Sequence, residues 1–206
     1  MIRMSGEPMP NMPWEDRPAG CADVVWRHSR NPITDWNPTP KTARIFNSSV
    51  VPWRDGFAGI FRADHKHGMA LLHVGFSKDG LAWTFADEEI HWKDAQGRAY
   101  DPVYAYDPRL VKLDDAYYII WCTDFGGPAL GFGMTTDFEL FTRLENITIP
   151  FNRNGVLFPR KIRDKYELIS RPSDSCHTPF GDIFLSESPV LVHRLCLQFR
   201  RRAAGS

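Results

Sequence analysis

Asp107 sits between Tyr106 and Pro108, where apolar neighbours can take a carboxyl group out of water. A carboxylic acid that donates a proton near neutral pH needs its pKa raised, which burial does and a nearby arginine opposes. An Asp beside a Pro also reads as a turn cap, and the residues alone leave both readings open. Arg153 and Arg171 each lie in a polar segment bearing Asn or Ser. Two guanidinium groups converging on one point suit a phosphate or a carboxylate, because the planar fork binds oxyanions through paired N–H donors. Taken singly, each arginine also reads as one half of a surface ion pair. Cys176 beside His177 has the composition of a thiol nucleophile and its base, and equally that of a small buried residue next to a polar one. The 4 cysteines, at 21, 122, 176 and 196, contain no CxxC pair, so neither a zinc cage nor a disulfide framework is expected. Trp53, Phe57, Trp83 and Trp121 offer flat faces for a sugar ring, although aromatic core packing accounts for them as well.

Most of these groups fall in polar segments flanked by Gly and Pro and read as loops: 45–49 (IFNSS), 106–109 (YDPR), 150–155 (PFNRNG) and 170–179 (SRPSDSCHTP). Strand-like runs occupy the spaces between them. The first group is 57–61, 70–76 and 81–85; the second is 110–113, 117–122 and 130–135; the third is 155–158, 166–170 and 182–186. No amphipathic helix of useful length emerges. The groups repeat. Residues 76–83 (FSKDGLAW) and 134–141 (MTTDFELF) share an apolar residue, a hydroxyl, any residue and an Asp, and Leu185-Ser186-Glu187-Ser188 begins a looser third copy. A period of roughly 50–60 residues holding three or four strands is how a β-propeller blade looks in sequence. Loops at one end of a propeller converge on its channel, so residues distant in the chain can share one pocket.

Composition agrees with that architecture. The 206 residues include 14 Phe, 7 Trp, 6 Tyr, 15 Gly and 16 Pro, and 43% hydrophobic with 24% charged residues excludes wholesale disorder. With 25 basic and 25 acidic side chains the net charge is zero, which argues against a general polyanion binder; no nucleic acid is expected as a partner. Arg200-Arg201-Arg202 form a basic cluster within a stretch from residue 190 that has no turn signals. No segment approaches ~18 uninterrupted apolar residues, and the first 20 lack a signal-peptide core, so we expect a cytoplasmic protein with no membrane association. The expected organisation is an N-terminal arm at 1–23, a partial propeller catalytic domain at 24–189 and an atypical basic tail at 190–206.

The chain resembles glycoside hydrolase family 130, the β-mannoside phosphorylases and their relatives. The resemblance rests on residues 26–33 (WRHSRNPI), 46–52 (FNSSVVP), 56–62 (GFAGIFR), 75–80, 106–109, 150–161 (PFNRNGVLFPRK) and 170–189 (SRPSDSCHTPFGDIFLSESP), and covers roughly 24–189 in order. It implies an all-β, five-bladed β-propeller, of which this chain carries about three blades. It further implies inverting phosphorolysis of terminal β-1,4-linked mannosyl residues, giving α-mannose 1-phosphate and a shortened sugar. By position, Asp107 matches the general acid, which passes its proton through a substrate hydroxyl. Arg153 and Arg171 match the phosphate-holding residues. Asn47, Ser48, Arg62, Tyr106, Asp174 and His177 match positions lining the sugar subsites. The implied partners are a β-mannoside oligosaccharide and inorganic phosphate as co-substrate, with no metal and no organic cofactor; relatives often assemble, so a homo-oligomer is possible. The readings set against it are a β-mannoside hydrolase of the same fold, which requires a second carboxylate to activate water, and an inactive propeller fragment that only binds carbohydrate.

Overall fold

Short apolar runs broken by Asp, Gly and Pro build a chain of antiparallel hairpins in the computed structural model, which describes residues 12–172 and 182–191. The first sheet contains β1 (Thr42–Trp53), β2 (Gly56–His65), β3 (Ala70–Ser77) and β4 (Thr84–Phe85), hydrogen-bonded in that order. The second contains β5 (Trp92–Lys93), β6 (Ala99–Tyr100), β7 (Tyr106–Leu113), β8 (Ala116–Asp124), β9 (Pro128–Thr135) and β10 (Phe141–Arg143), in the order β6-β5-β10-β9-β8-β7. The third runs β11 (Asn152–Leu157), β12 (Tyr166–Pro172) and β13 (Phe184–Ser188). Every pairing is antiparallel except β10 with β5. The described residues contain no helix, and so none long and apolar enough to cross a membrane.

The three sheets are successive propeller blades, and the first long strand of each (β1, β7, β11) packs against its counterpart in the next blade. Side-chain alternation in β8 shows how the blades are held. Ile119 and Trp121 point into a core shared with Ala58, Ile60, Leu72 and Val74 of the first blade. Ile120 and Cys122 point the other way, into a core with Leu130, Leu157 and Leu168. A strand buried on both faces must be apolar at every position rather than at alternate ones, which is why residues 119–122 read IIWC. Trp121 stacks on Trp92 with ring centroids 4.2 Å apart. The room comes from β9: a Cβ on Gly131 would lie 2.3 Å from the Trp121 ring, and one on Gly133 would lie 2.2 Å from Trp92.

The recurring hydroxyl-x-Asp motif is a turn. Ser77 Oγ donates to Asp79 and accepts the Gly80 N–H, while the Asp79 carboxylate accepts the Leu81 and Ala82 N–H groups at 2.9 and 2.8 Å. Thr135 and Asp137 reproduce this bond for bond with Phe138, Glu139 and Leu140. Backbone N–H groups bonded to each carboxylate hold the pKa of Asp79 and of Asp137 below the usual range. The third copy is shifted from where the sequence places it. Ser188, the last residue of β13, accepts the Val190 N–H, so Ser188 rather than Ser186 is the equivalent hydroxyl, and Val190 stands where Asp stood.

Two expectations need correction. The run 81–85 is a strand only at Thr84–Phe85, because the turn just described consumes the residues before it. All four segments read as loops contain strand: 170–172 closes β12, and in the other three 45–49 lies inside β1, 106–109 opens β7 and 152–155 opens β11. Their polar residues and prolines obscure the alternation that marks a strand, and first strands of blades tolerate both.

Candidate active site

Each of those three strands carries a β-bulge at the same place. The pairing slips between Phe46 and Ser49 in β1, between Tyr106 and Arg109 in β7, and between Arg153 and Gly155 in β11. Each bulge contains an Asx residue at positive φ: Asn47 at 48°, Asp107 at 51° and Asn154 at 54°. Asn and Asp are the non-glycine residues that best tolerate this region, and a bulge re-aims the side chain it carries. The shared distortion explains why the chemistry-bearing residues recur as Asn or Asp followed by Ser, Pro or Gly.

Asp107 is the centre of the cluster. Its Oδ1 accepts from Asn47 Nδ2 at 2.9 Å and from Arg62 Nη1 at 3.0 Å, joining β1, β2 and β7. The Asp107 side chain is 16% exposed and that of Arg62 is 22% exposed, so these charge-assisted bonds are partly shielded from water. Arg62 is further fixed by Asp64, whose Oδ1 accepts from Nε at 3.2 Å while Oδ2 accepts from Arg44 Nε at 3.2 Å. The Arg62 guanidinium lies 4.2 Å from the Phe46 ring centroid and 5.2 Å from that of Tyr106, close enough for cation–π attraction to both. Ser49 Oγ accepts the Leu110 N–H at 2.9 Å and pins the β1 bulge beside that of β7. Burial pushes the Tyr106 phenol up to about 12, so it stays protonated and offers a hydrogen-bond donor. Its ring lies 5.6 Å from that of Tyr104, whose hydroxyl donates to Asp124.

Arg153 and Arg171 are direct cross-strand partners in the β11–β12 pair. Opposed residues of an antiparallel pair project from one face with Cβ atoms roughly 4.5–5.5 Å apart. The Arg153 charge also acts on the Tyr104 and Tyr106 phenols and the Cys122 thiol, partly offsetting the rise caused by burial. Asn154 bonds Cys122 twice, its N–H donating to Sγ and its Oδ1 accepting from Sγ. Burial raises the Cys122 pKa, which makes it a packed thiol rather than a nucleophile.

The structure thus brings together Asn47, Arg62, Tyr106 and Asp107, and sets Arg153 opposite Arg171 on the neighbouring blade. Ser48 lines a groove of about 460 Å³ with Ile33, Phe46, Val50, Phe61 and Trp83. Asp174, His177 and Cys176 lie outside the described residues. Trp121 is fully buried, Trp53 packs edge-on against Tyr117 and Phe138, and Trp83 against Phe61; these rings belong to the blade packing. Sequence reasoning passed over Asp64, Arg44 and Tyr104. Their signal was the two-residue spacing in Arg62-x-Asp64 and Tyr104-x-Tyr106, which sets each pair on one face of an extended strand.

Successive antiparallel blades whose bulged strands gather Asn47 and Asp107 against Arg62 define part of a β-propeller with a polar cluster between blades. The chain belongs to glycoside hydrolase family 130: a family model described as beta-1,4-mannooligosaccharide phosphorylase matches residues 6–198. It is 47% identical over 198 residues to a beta-1,4-mannooligosaccharide phosphorylase of Ruminococcus albus, an alignment covering 92% of this chain and 59% of that relative. It is 26% identical over 157 residues to a 1,2-beta-oligomannan phosphorylase of Thermoanaerobacter sp., covering 68% of this chain and 50% of the relative. Among solved structures, the beta-1,2-mannobiose phosphorylase of Listeria innocua superposes with a TM-score of 0.58 at 20% identity, over 70% of this chain and 55% of that one. A family member described among the hydrolases that target beta-1,2 mannosidic linkages in Candida mannan superposes with a TM-score of 0.65 at 16% identity, over 87% and 58%. The solved family members are five-bladed propellers, and this chain covers part of that ring.

Proposed function

We propose that the site carries out inverting phosphorolysis of terminal β-1,4-linked mannosyl residues. An oxygen of inorganic phosphate attacks the anomeric carbon from the face opposite the leaving group. The bond from that carbon to the bridging oxygen breaks, and the departing oxygen takes a proton originating at Asp107. The products are α-mannose 1-phosphate and a sugar shortened by one unit. Oδ1 of Asp107 already accepts two hydrogen bonds, so the proton of the acid form sits on Oδ2, the oxygen available to a substrate hydroxyl. Asn47, Arg62 and Tyr106 hold the carboxyl and the mannosyl unit. Ser48, Asp174 and His177 complete the sugar subsites in this reading.

The observation that carries the proposal is the pairing of Arg153 with Arg171. Like charges directly opposite on a sheet repel, and a phosphate dianion between them converts that repulsion into two bidentate contacts. Hydrolysis finds less support. The other carboxylate of the cluster is Asp64, whose two oxygens are both engaged by guanidinium groups, which fits it poorly for activating a water. Phosphate is then a co-substrate, no cofactor is required, and the protein works in the cytoplasm, as a monomer or a homo-oligomer.

The test is incubation of the 206-residue chain with β-1,4-mannobiose, with and without inorganic phosphate. Phosphate-dependent release of mannose 1-phosphate is the expected result. Free mannose without phosphate would assign hydrolysis instead, and sugar binding with no product would make the chain a carbohydrate-binding propeller segment.

A further inference from the structure

Outside the Asp107 cluster, the most buried group of metal-ligating side chains among the described residues sits where β2 ends. His65, His73 and Glu89 each bring one ligand atom within 4.8 Å of the others. His65 is 4% exposed and His73 is fully buried. Their Nε2 atoms face each other at 2.8 Å. The tautomer of His73 follows from its second contact: its Nδ1 lies 2.9 Å from the Ala86 carbonyl oxygen, which can only accept, so Nδ1 carries the proton and Nε2 presents a lone pair toward His65. A ring N–H held by a backbone carbonyl is the arrangement that orients metal-bound histidines. Glu89 Oε2 is buried without a hydrogen bond. The nearest cation is Lys41, 3.5 Å away and drawn mainly to Glu88.

We propose that His65 Nε2, His73 Nε2 and Glu89 Oε2 bind one divalent transition metal ion, zinc by donor type, with water as the fourth ligand. Two imidazoles and one carboxylate form a donor set that zinc accepts. Tetrahedral Zn–N bonds of about 2.0–2.1 Å place the two nitrogens roughly 3.3 Å apart, so the rings need to open by only about half an ångström from their 2.8 Å separation. The proton now shared between the two Nε2 atoms moves to Nδ1 of His65, and the metal takes the role that Lys41 plays toward Glu89.

The ion would join three pieces of chain: the end of β2, the middle of β3 and the segment that follows β4. That segment already runs beside β3 through the Ala86 N–H to the Val74 oxygen and the Ile90 N–H to the Leu72 oxygen. His65 directly follows Asp64, the residue that fixes Arg62 against Asp107, so the ion would also anchor the strand that delivers these groups. This inference stands independently of the phosphorolysis reading.

The full chain, stripped with a chelator and dialysed against Zn²⁺, is assayed for metal by atomic emission and titrated with Co²⁺ for the intense visible absorption of a tetrahedral site. One Zn²⁺ per chain, a tetrahedral Co²⁺ spectrum and a melting temperature that rises with free Zn²⁺ are expected. Glu89→Gln, at a partly buried position, should weaken Zn²⁺ affinity by about tenfold or more, given that even outer ligand partners are worth 10–100-fold. His91→Gln should leave it unchanged. Absence of a stoichiometric metal and of the Co²⁺ spectrum in the unmodified chain would overturn the proposal and leave a neutral imidazole pair. Loss of binding in His91→Gln would also overturn it, assigning the ion to the exposed group Glu88, Glu89 and His91.

Discussion

Asp107 is held by its backbone as much as by its partners: φ is 51°, a region that costs most side chains about 1–2 kcal/mol and Asn or Asp less. This separates two substitutions. Asp107→Asn keeps the backbone and the Arg62 contact but has no proton to give, so mannose 1-phosphate formation should fall by about 10²–10⁴-fold with the melting temperature nearly unchanged. Asp107→Ala should lose activity and also stability, from strain and from removing one of the two carboxylates that hold Arg62. Equal melting temperatures for the two variants would show that the positive φ carries no cost. For the paired arginines, Arg171→Ala should raise the phosphate KM while leaving the phosphate-free melting temperature unchanged or slightly higher, because a cross-strand repulsion is relieved. The stabilisation that added phosphate gives the parent chain should disappear in this variant. Thermal shift against phosphate concentration measures both effects.

The β-bulge is the device by which one strand type serves three times. A regular strand would alternate its side chains between the two blade faces; the extra residue in β1, β7 and β11 breaks that alternation and releases Asn47, Asp107 and Asn154 from it. The turns at the far end of β3 and β9 are equally repetitive, and they titrate. The folded-state pKa of Asp79 and of Asp137 is lowered by backbone N–H donors, so their contribution to stability is present above the unfolded value near 4 and is lost as pH falls through the lowered folded values. The urea midpoint should therefore drop as pH is taken from 5 toward 2, and Asp137→Asn should remove part of that drop. Gly131→Ala should cost about 1–3 kcal/mol or more, since its methyl group would meet the Trp121 ring at 2.3 Å; chemical denaturation reads this directly.

Three blades share two cores, and β8 contributes to both. Damage on one face is therefore felt through the entire described assembly. Trp121→Ala should destabilise by about 3–5 kcal/mol, and fluorescence and far-UV circular dichroism should lose their signals in one coincident transition. Separate transitions would show blades that unfold independently. Beyond the shared cores, the first blade leaves an apolar groove lined by Ile33, Val50 and Trp83. Val156, in the third blade, is 43% exposed. The chain spans 59% of the length of its Ruminococcus relative.

Much of the fold could be read from the chain because it depends on local rules. The hairpins 70–76, 117–122 and 130–135 alternate or run apolar over strand length, and the hydroxyl-x-Asp turns repeat because the hydrogen bonds that make them lie within six residues. The site was legible only in part. Asp107, Arg153 and Arg171 stood out by type and surroundings, whereas Asp64 and Tyr104 did not, because what matters about them is a partner on the same face and not a motif. Calling 45–49, 106–109 and 152–155 loops had the same origin: a bulge hides a strand by breaking its period of two. The meeting of Asn47 and Arg62 with Asp107, across 60 and 45 residues of chain, was decided by tertiary structure alone. Such contacts are fixed by how whole blades pack, and no local propensity encodes the distance between side chains that far apart in sequence.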